Sequence, residues 1–222
     1  MSAIVLHHAP DVVSRPEKQK YSAESNAGVL VEVQAVTDSL TKLGIQWRTM
    51  SVRRLTDVRP TLEGTPEPVV FNIVEELCGH PQDASVVPVI LRALGKGFTG
   101  NDSYALMLSL DKWKAKAVLK SMGLSTPPAW YVPCGEKLTA SLPRCKYIIK
   151  PVCTDASEGI DDSSVVDSDS REIGKLIRRI HEDFEQAAIV EKFIDGRELN
   201  VSVVQFEDGP RVLPIAEIDF VN

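Results

Sequence analysis

The sequence predicts an α/β domain with a parallel sheet, followed by an α+β unit built on antiparallel strands. Three observations lead there. In the first hundred residues, apolar strand-like runs alternate with stretches of helical period, the pattern of a parallel sheet covered on both faces. Beyond about Gly100, short strands follow one another with a turn between them, which suits antiparallel pairing. The chain has 222 residues, 43% of them hydrophobic, enough to bury cores and too apolar for a disordered chain.

Each element has a local reason. Residues 3–6 form a short apolar run that suits a buried strand at the chain start. A polar segment extends to about Ser25. Val29, Val33, Val36, Leu40 and Leu43 then recur every three or four residues, an amphipathic helix with Asn26 as its N-cap and Gly44 as its stop. Residues 45–50 read as a second strand, 53–68 as a polar connector with three prolines, and 69–74 as a third strand. From Pro81 a further helix places Val86, Val87, Ile90, Leu91 and Leu94 on one face, with Pro88 in its first turn and Gly95 and Gly97 at its end. Crossovers in such a unit are right-handed, and ligands approach the carboxyl ends of the strands.

In the second half, residues 112–122 are helical and Gly123 stops them. Residues 129–132, 147–150 and 164–166 read as strands. A helix at about 170–184 carries Ile173, Leu176, Ile177, Ile180 and Phe184 on one side, with Asp169 and Glu172 spaced as a capping box. Strands are expected at 188–192, 200–205 and 212–218, with a hairpin turn at Glu207-Asp208-Gly209-Pro210.

Composition excludes several functions. The net charge of −6 argues against a dedicated nucleic-acid binder. No apolar run approaches the roughly 18 residues of a membrane span, and the first residues lack a signal-peptide pattern. Cys78, Cys134, Cys145 and Cys153 form no C-x-x-C pair and have no histidine at zinc-finger spacing, so reduced, partly buried thiols in a cytoplasmic protein are expected and a structural zinc is not. No G-x-G-x-x-G follows any strand, which disfavours a dinucleotide enzyme.

Three segments carry chemistry together. Asp111-Lys112 opens a helix. Tyr147-Ile148-Ile149-Lys150-Pro151 enters a loop that turns at Ser157-Glu158-Gly159. Ile189 to Leu199 contains Glu191-Lys192, Ile194 and Glu198. A lysine ending an apolar strand needs an anion, and a small-residue loop beside it offers backbone N–H groups to the same phosphate. The third segment offers backbone groups to a purine edge and a carboxylate, Glu198, to ribose hydroxyls. Singly, these are a helix cap, a strand end, a turn and a solvated strand edge. Order and spacing decide between the readings.

That arrangement resembles the ATP-grasp superfamily, and within it the D-alanine–D-alanine ligase-like branch. The likeness runs from Val69-Val70-Phe71-Asn72 through Phe98-Thr99-Gly100-Asn101-Asp102, Asp111-Lys112, Ser125-Thr126-Pro127-Pro128 and Lys150-Pro151 to residues 191–199. It implies a Rossmann-like pre-ATP-grasp domain over residues 1–102, an ATP-grasp central subdomain over 103–187, and the start of its C-terminal subdomain over 188–222. Lys112 and Lys150 look like the two lysines on ATP phosphates, and Ser157 with Gly159 like the phosphate-covering loop. Glu191, Lys192 and Ile194 look like the adenine-facing hinge, and Glu198 like the ribose carboxylate.

The activity implied is ligation of a small carboxylate to an amine through an acyl phosphate, with ATP and Mg2+. The family's magnesium ligands are expected beyond residue 222, so none is assigned here and the chain alone is expected to be inactive. A homodimer through the N-terminal domain is also implied, as is a cytoplasmic location without nucleic-acid or membrane partners. Where the branch carries a Gly-rich segment with a substrate-orienting glutamate, this chain reads His7-His8-Ala9-Pro10-Asp11, and Glu24 is the nearest counterpart. His7 and His8 are expected in a solvated loop, and Glu75 and Glu76 as exposed charges ending a strand; both pairs sit where a substrate could touch them. The alternative function is a nucleotide-binding or scaffold module without turnover.

Overall fold

A computed structural model describes residues 2–9, 19–154 and 158–219, the backbone alone for 19–27. Its first sheet holds β1 (Ser2–His8), β2 (Gln46–Val52), β3 (Val69–Ile73) and β4 (Gly97–Phe98), in the order β2-β1-β3-β4 and all parallel. β1 lies between β2 and β3, and its apolar middle, Ile4, Val5 and Leu6, is fully buried because both faces are covered. Helix α1 (Gln19–Lys42) links β1 to β2, α2 (Leu55–Leu62) follows β2, and α3 (Pro81–Ala84) and α4 (Val87–Ala93) follow β3. Ile4, Leu6, Val58, Leu62, Val70, Val87 and Leu91 form one core between sheet and helices.

Several expectations change here. The first helix begins at Gln19, so Asn26 lies inside it and is not its N-cap. The good helix formers Lys20, Ala23 and Glu24 explain the extension. Leu43 falls beyond the helix end and is exposed. The expected connector at 53–68 contains α2, whose Val58 and Leu62 lie one turn apart and are both buried. Its prolines hid that spacing. The helix expected from Pro81 is two helices, and Pro88 sits at the start of the second.

The second sheet is antiparallel. It holds β5 (Ala129–Val132), β6 (Lys146–Pro151), β7 (Val165–Asp167) and β8 (Ala188–Lys192), ordered β5-β8-β6-β7. Before it come α5 (Ser103–Leu110) and α6 (Lys112–Ser121); α7 (Glu172–Phe184) lies between β7 and β8. Ile173, Leu176, Ile177 and Ile180 of α7 pack on Tyr147, Ile149, Val132, Ala188 and Val190. The predicted capping box of α7 does not form. The helix starts later, and the Ser170 hydroxyl instead accepts the Glu172 backbone N–H at 3.1 Å.

Past β8 the chain makes two small two-stranded sheets. β9 (Glu198–Asn200) pairs with β12 (Ala216–Ile218), and within that pair β10 (Val203–Phe206) and β11 (Gly209–Val212) form a hairpin. The two strands expected here are therefore four. Glu207 and Asp208 close the hairpin, with Gly209 at φ 129°.

Candidate functional site

Alternation along the antiparallel sheet sorts its side chains. Tyr147, Ile149 and Pro151 of β6, with Ala188 and Val190 of β8, point toward α7. Ile148 and Lys150, with Ile189 and Glu191, point to the other face. Antiparallel register sets Ile148 opposite Glu191 and Lys150 opposite Ile189. Lys150 and Glu191 are thus diagonal neighbours across two strands, within reach of each other's long side chains. The Lys150 ammonium lies 2.5 Å from Glu191 Oε2.

Helix α6 completes the group from outside the sheet. Trp113 of α6 stacks near Tyr131 of β5, ring centroids 5.6 Å apart, which seats the helix beside this face. Ala129 pairs with Glu191 in register, and its small side chain leaves room for a carboxylate. Lys116 reaches that carboxylate from α6. Its ammonium donates to Glu191 Oε1 and, at 2.6 Å, to the Pro127 carbonyl. Lys116, Lys150 and Glu191 keep only 15%, 19% and 10% of their side-chain surface in contact with solvent.

Burial by itself raises the Glu191 pKa, but hydrogen bonds and charge from Lys116 and Lys150 outweigh it and hold the carboxyl below its ordinary range. The group is a salt-bridged triad of two cations and one anion, with a surplus positive charge. Lys112, one turn before Lys116 on the same helix face, reaches the loop after β6. Its ammonium donates to the Thr154 carbonyl, and its backbone N–H donates to the Val152 carbonyl at 3.1 Å. Lys112 therefore addresses the chain just after β6, while the Lys150 ammonium turns to Glu191.

The other predicted positions sort as follows. Ser157 lies outside the described residues. Gly159 is buried at φ +76°, and a Cβ there would come within 2.7 Å of the Phe184 ring and 3.0 Å of Pro151. This glycine has a packing reason of its own. Lys192, Ile194 and Glu198 are exposed, and their side chains do not join the triad. The Lys192 backbone N–H donates to the Pro128 carbonyl at 2.8 Å, which ties the strand end to the segment before β5. Glu198 stands on β9 opposite Ile218.

At the carboxyl edge of the parallel sheet, His7 and His8 belong to β1 itself and are 9% and 2% exposed. The expectation of a solvated loop is corrected: β1 continues two residues past its apolar run, between β2 and β3. The Glu75 backbone N–H donates to His8 Nδ1 at 3.4 Å. Glu75 is exposed, as expected of a strand terminus, whereas Glu76 is partly buried. The side chain of Glu24 lies outside the described residues. Cys78 and Cys134 are exposed rather than buried, and all four thiols are free.

Among the described residues no group of three or more His, Cys, Asp or Glu could hold a metal ion. The carboxylate oxygens of Glu191 are both engaged by lysines. The resemblance expects the ligands of its divalent cation beyond residue 222, and Glu191, the buried carboxylate of this face, is committed to lysines. Nor is any described helix long and apolar enough to cross a membrane.

The residue missed in the sequence is Lys116. Its signal was present: it lies four positions after Lys112, the spacing that stacks two side chains on one helical face. What the spacing could not reveal is the carboxylate waiting for it on a strand 75 residues away.

A Rossmann-like parallel domain followed by an antiparallel sheet with lysines at its strand end and on the flanking helix defines a class. The chain belongs to the ATP-grasp family, whose ATP-grasp domain matches residues 109–220. Within that family it is D-alanine–D-alanine ligase-like. It is 29% identical over 212 residues to a D-alanine–D-alanine ligase of Caulobacter sp. (strain K31), covering 96% of this chain and 62% of that protein. The chain thus spans less than two thirds of that relative's length. A D-alanine–D-alanine ligase from Bacillus anthracis, solved in complex with ATP, superposes with a TM-score of 0.68 at 18% identity, covering 100% of this chain and 67% of the other. VanG D-Ala:D-Ser ligase from Enterococcus faecalis superposes with a TM-score of 0.62 at 16% identity, over 98% of this chain and 69% of that one. At such identities the structural likeness is one of fold.

Proposed function

We propose that this chain is the nucleotide-binding portion of an ATP-dependent carboxylate–amine ligase whose substrates are small molecules of the amino-acid class. In this reading residues 1–102 form the pre-ATP-grasp domain, 103–187 the central ATP-grasp subdomain, and 188–222 the beginning of the C-terminal one. Lys112 and Lys150 hold the phosphates, and the loop carrying Ser157 and Gly159 folds over them. The backbone of Glu191, Lys192 and Ile194 meets the adenine, and Glu198 meets the ribose. When bound, ATP supplies the phosphoryl group that activates the carboxylate. The chain's own part is positioning and charge neutralisation, the two effects on which phosphoryl transfer chiefly depends.

The observation that carries this reading is the meeting of Lys150 with Glu191 and Lys116 on one sheet face, with Lys112 reaching from α6 to the loop after β6. Two ammonium groups share one carboxylate, which leaves a surplus positive charge beside the buried end of β6. That is a costly arrangement unless an anion is its intended partner. Calorimetric titration of a non-hydrolysable ATP analogue into wild type and Lys150→Ala tests it. Wild type binds, and the variant binds at least about tenfold more weakly, the loss of one phosphate contact. Equal affinities remove Lys150 from the phosphates.

A further inference from the structure

The lysine that the resemblance did not assign, Lys116, has a definable task. Lys150 has to carry its charge to a phosphate, yet it stands beside a glutamate on the same sheet face. Paired one to one, Lys150 and Glu191 form a neutral couple that any incoming anion must break apart. In the structure the couple is not one to one. Glu191 gives Oε1 to Lys116 and Oε2 to Lys150, and Lys116 is fixed in turn by the Pro127 carbonyl.

We infer that Lys116 is a positioning residue that balances Glu191, so that the Lys150 ammonium keeps a net positive charge for the phosphoryl groups of a nucleotide. This rests on the nucleotide reading above and adds a division of labour to it. Glu191 fixes the place of Lys150, and Lys116 absorbs the charge that would otherwise neutralise it. Two features of the fold suit Lys116 to this task. It reaches Glu191 from a helix rather than from the sheet, and it takes Oε1, leaving Oε2 to Lys150. Its second bond is to a backbone carbonyl, which anchors the ammonium without bringing another full negative charge.

The test separates phosphate from base. Tripolyphosphate and adenosine are titrated separately into wild type, Lys116→Met, Lys116→Arg and the double variant Lys116→Met/Glu191→Gln, each first checked for folding by thermal melt. Lys116→Met weakens tripolyphosphate about tenfold, the order expected when a partly desolvated charge near an anion is lost, and leaves adenosine affinity unchanged. Lys116→Arg retains wild-type affinity for both. The decisive sample is the double variant, in which removing the unbalanced carboxylate restores tripolyphosphate binding to within about threefold of wild type, since the pair coupling is then gone.

If Lys116 only held the site together, the second substitution would weaken tripolyphosphate binding further, and adenosine would be lost with it; either outcome overturns the inference. If Lys116→Met does not fold, Lys116→Gln keeps a donor for Pro127 and replaces it in both samples. A wild type that binds ATP but shows no sensitivity at Lys116 overturns the division of labour alone. A wild type that binds neither probe nor ATP overturns the nucleotide reading together with it.

Discussion

Glu191 is the residue on which most of the site's electrostatics turn. Its carboxyl is lowered from an ordinary 4.5 in the folded chain by the two lysines that outweigh its burial. The folded state therefore resists protonation where the unfolded chain accepts a proton. The resulting stabilisation is full above 4.5 and disappears as pH falls below it through the folded-state value. Glu191→Gln should lower stability at pH 7 by about 3 kcal/mol, because it leaves two lysines facing an amide in a mostly desolvated place. Urea unfolding of both proteins from pH 7 to pH 3 checks this: the gap between them narrows as the solution becomes acid. A gap that is constant over that range means the triad is not ionised as described. Tyr147 gives a simpler case. Its ring meets Trp130 edge-on at 5.6 Å, and its hydroxyl donates to the Pro143 carbonyl at 3.0 Å. Tyr147→Phe leaves that carbonyl without this donor and should cost about 1–2 kcal/mol in the same assay.

Helix α7 and the loop facing it show how an element disciplines its neighbours. The helix buries Ile173, Leu176, Ile177 and Ile180 along one stripe. Truncating Ile177 to alanine should cost about 3–4 kcal/mol, the usual range for a well-packed aliphatic residue. At its far end Phe184 closes over Gly159, so the loop after β6 passes under the helix only because that position lacks a side chain. Gly159→Ala combines a left-handed backbone with a contact at 2.7 Å. It should lower stability by about 2–3 kcal/mol and shift the loop. Thermal melts measure the first effect, and hydrogen exchange at residues 152–154 measures the second. Unaltered exchange would mean that the glycine does not set the loop's path.

Across the whole molecule, apolar burial is uneven. The parallel sheet and the antiparallel sheet each enclose a core, while β9 to β12 expose Leu199, Val203, Val204, Phe206, Val212 and Ile218. Those strands therefore add little to the cooperative stability of the rest. Phe206→Ser should move the melting temperature by no more than about 2 °C, as expected for a substitution within about 0.5 kcal/mol. A larger drop would show that the hairpin packs on something that stabilises it.

What the amino-acid sequence settled by itself was everything that depends on local period and local chemistry. The apolar runs of β1, β3 and β8, the stripe of α7, and the lysines at 112 and 150 are properties of neighbours in the chain. Residues 129–132 and 188–192 match β5 and β8 in full for the same reason. Helix α2 escaped because its signal is two buried residues among prolines, and β4 because a two-residue strand has no period to detect. Only the tertiary structure decided that Lys116 and Lys150, from a helix and a strand, share one carboxylate. Antiparallel register, the pleat and the seat of α6 set that meeting jointly. Pairing between charges far apart in sequence leaves no periodic trace, because the energy that selects it exists only after the strands have joined.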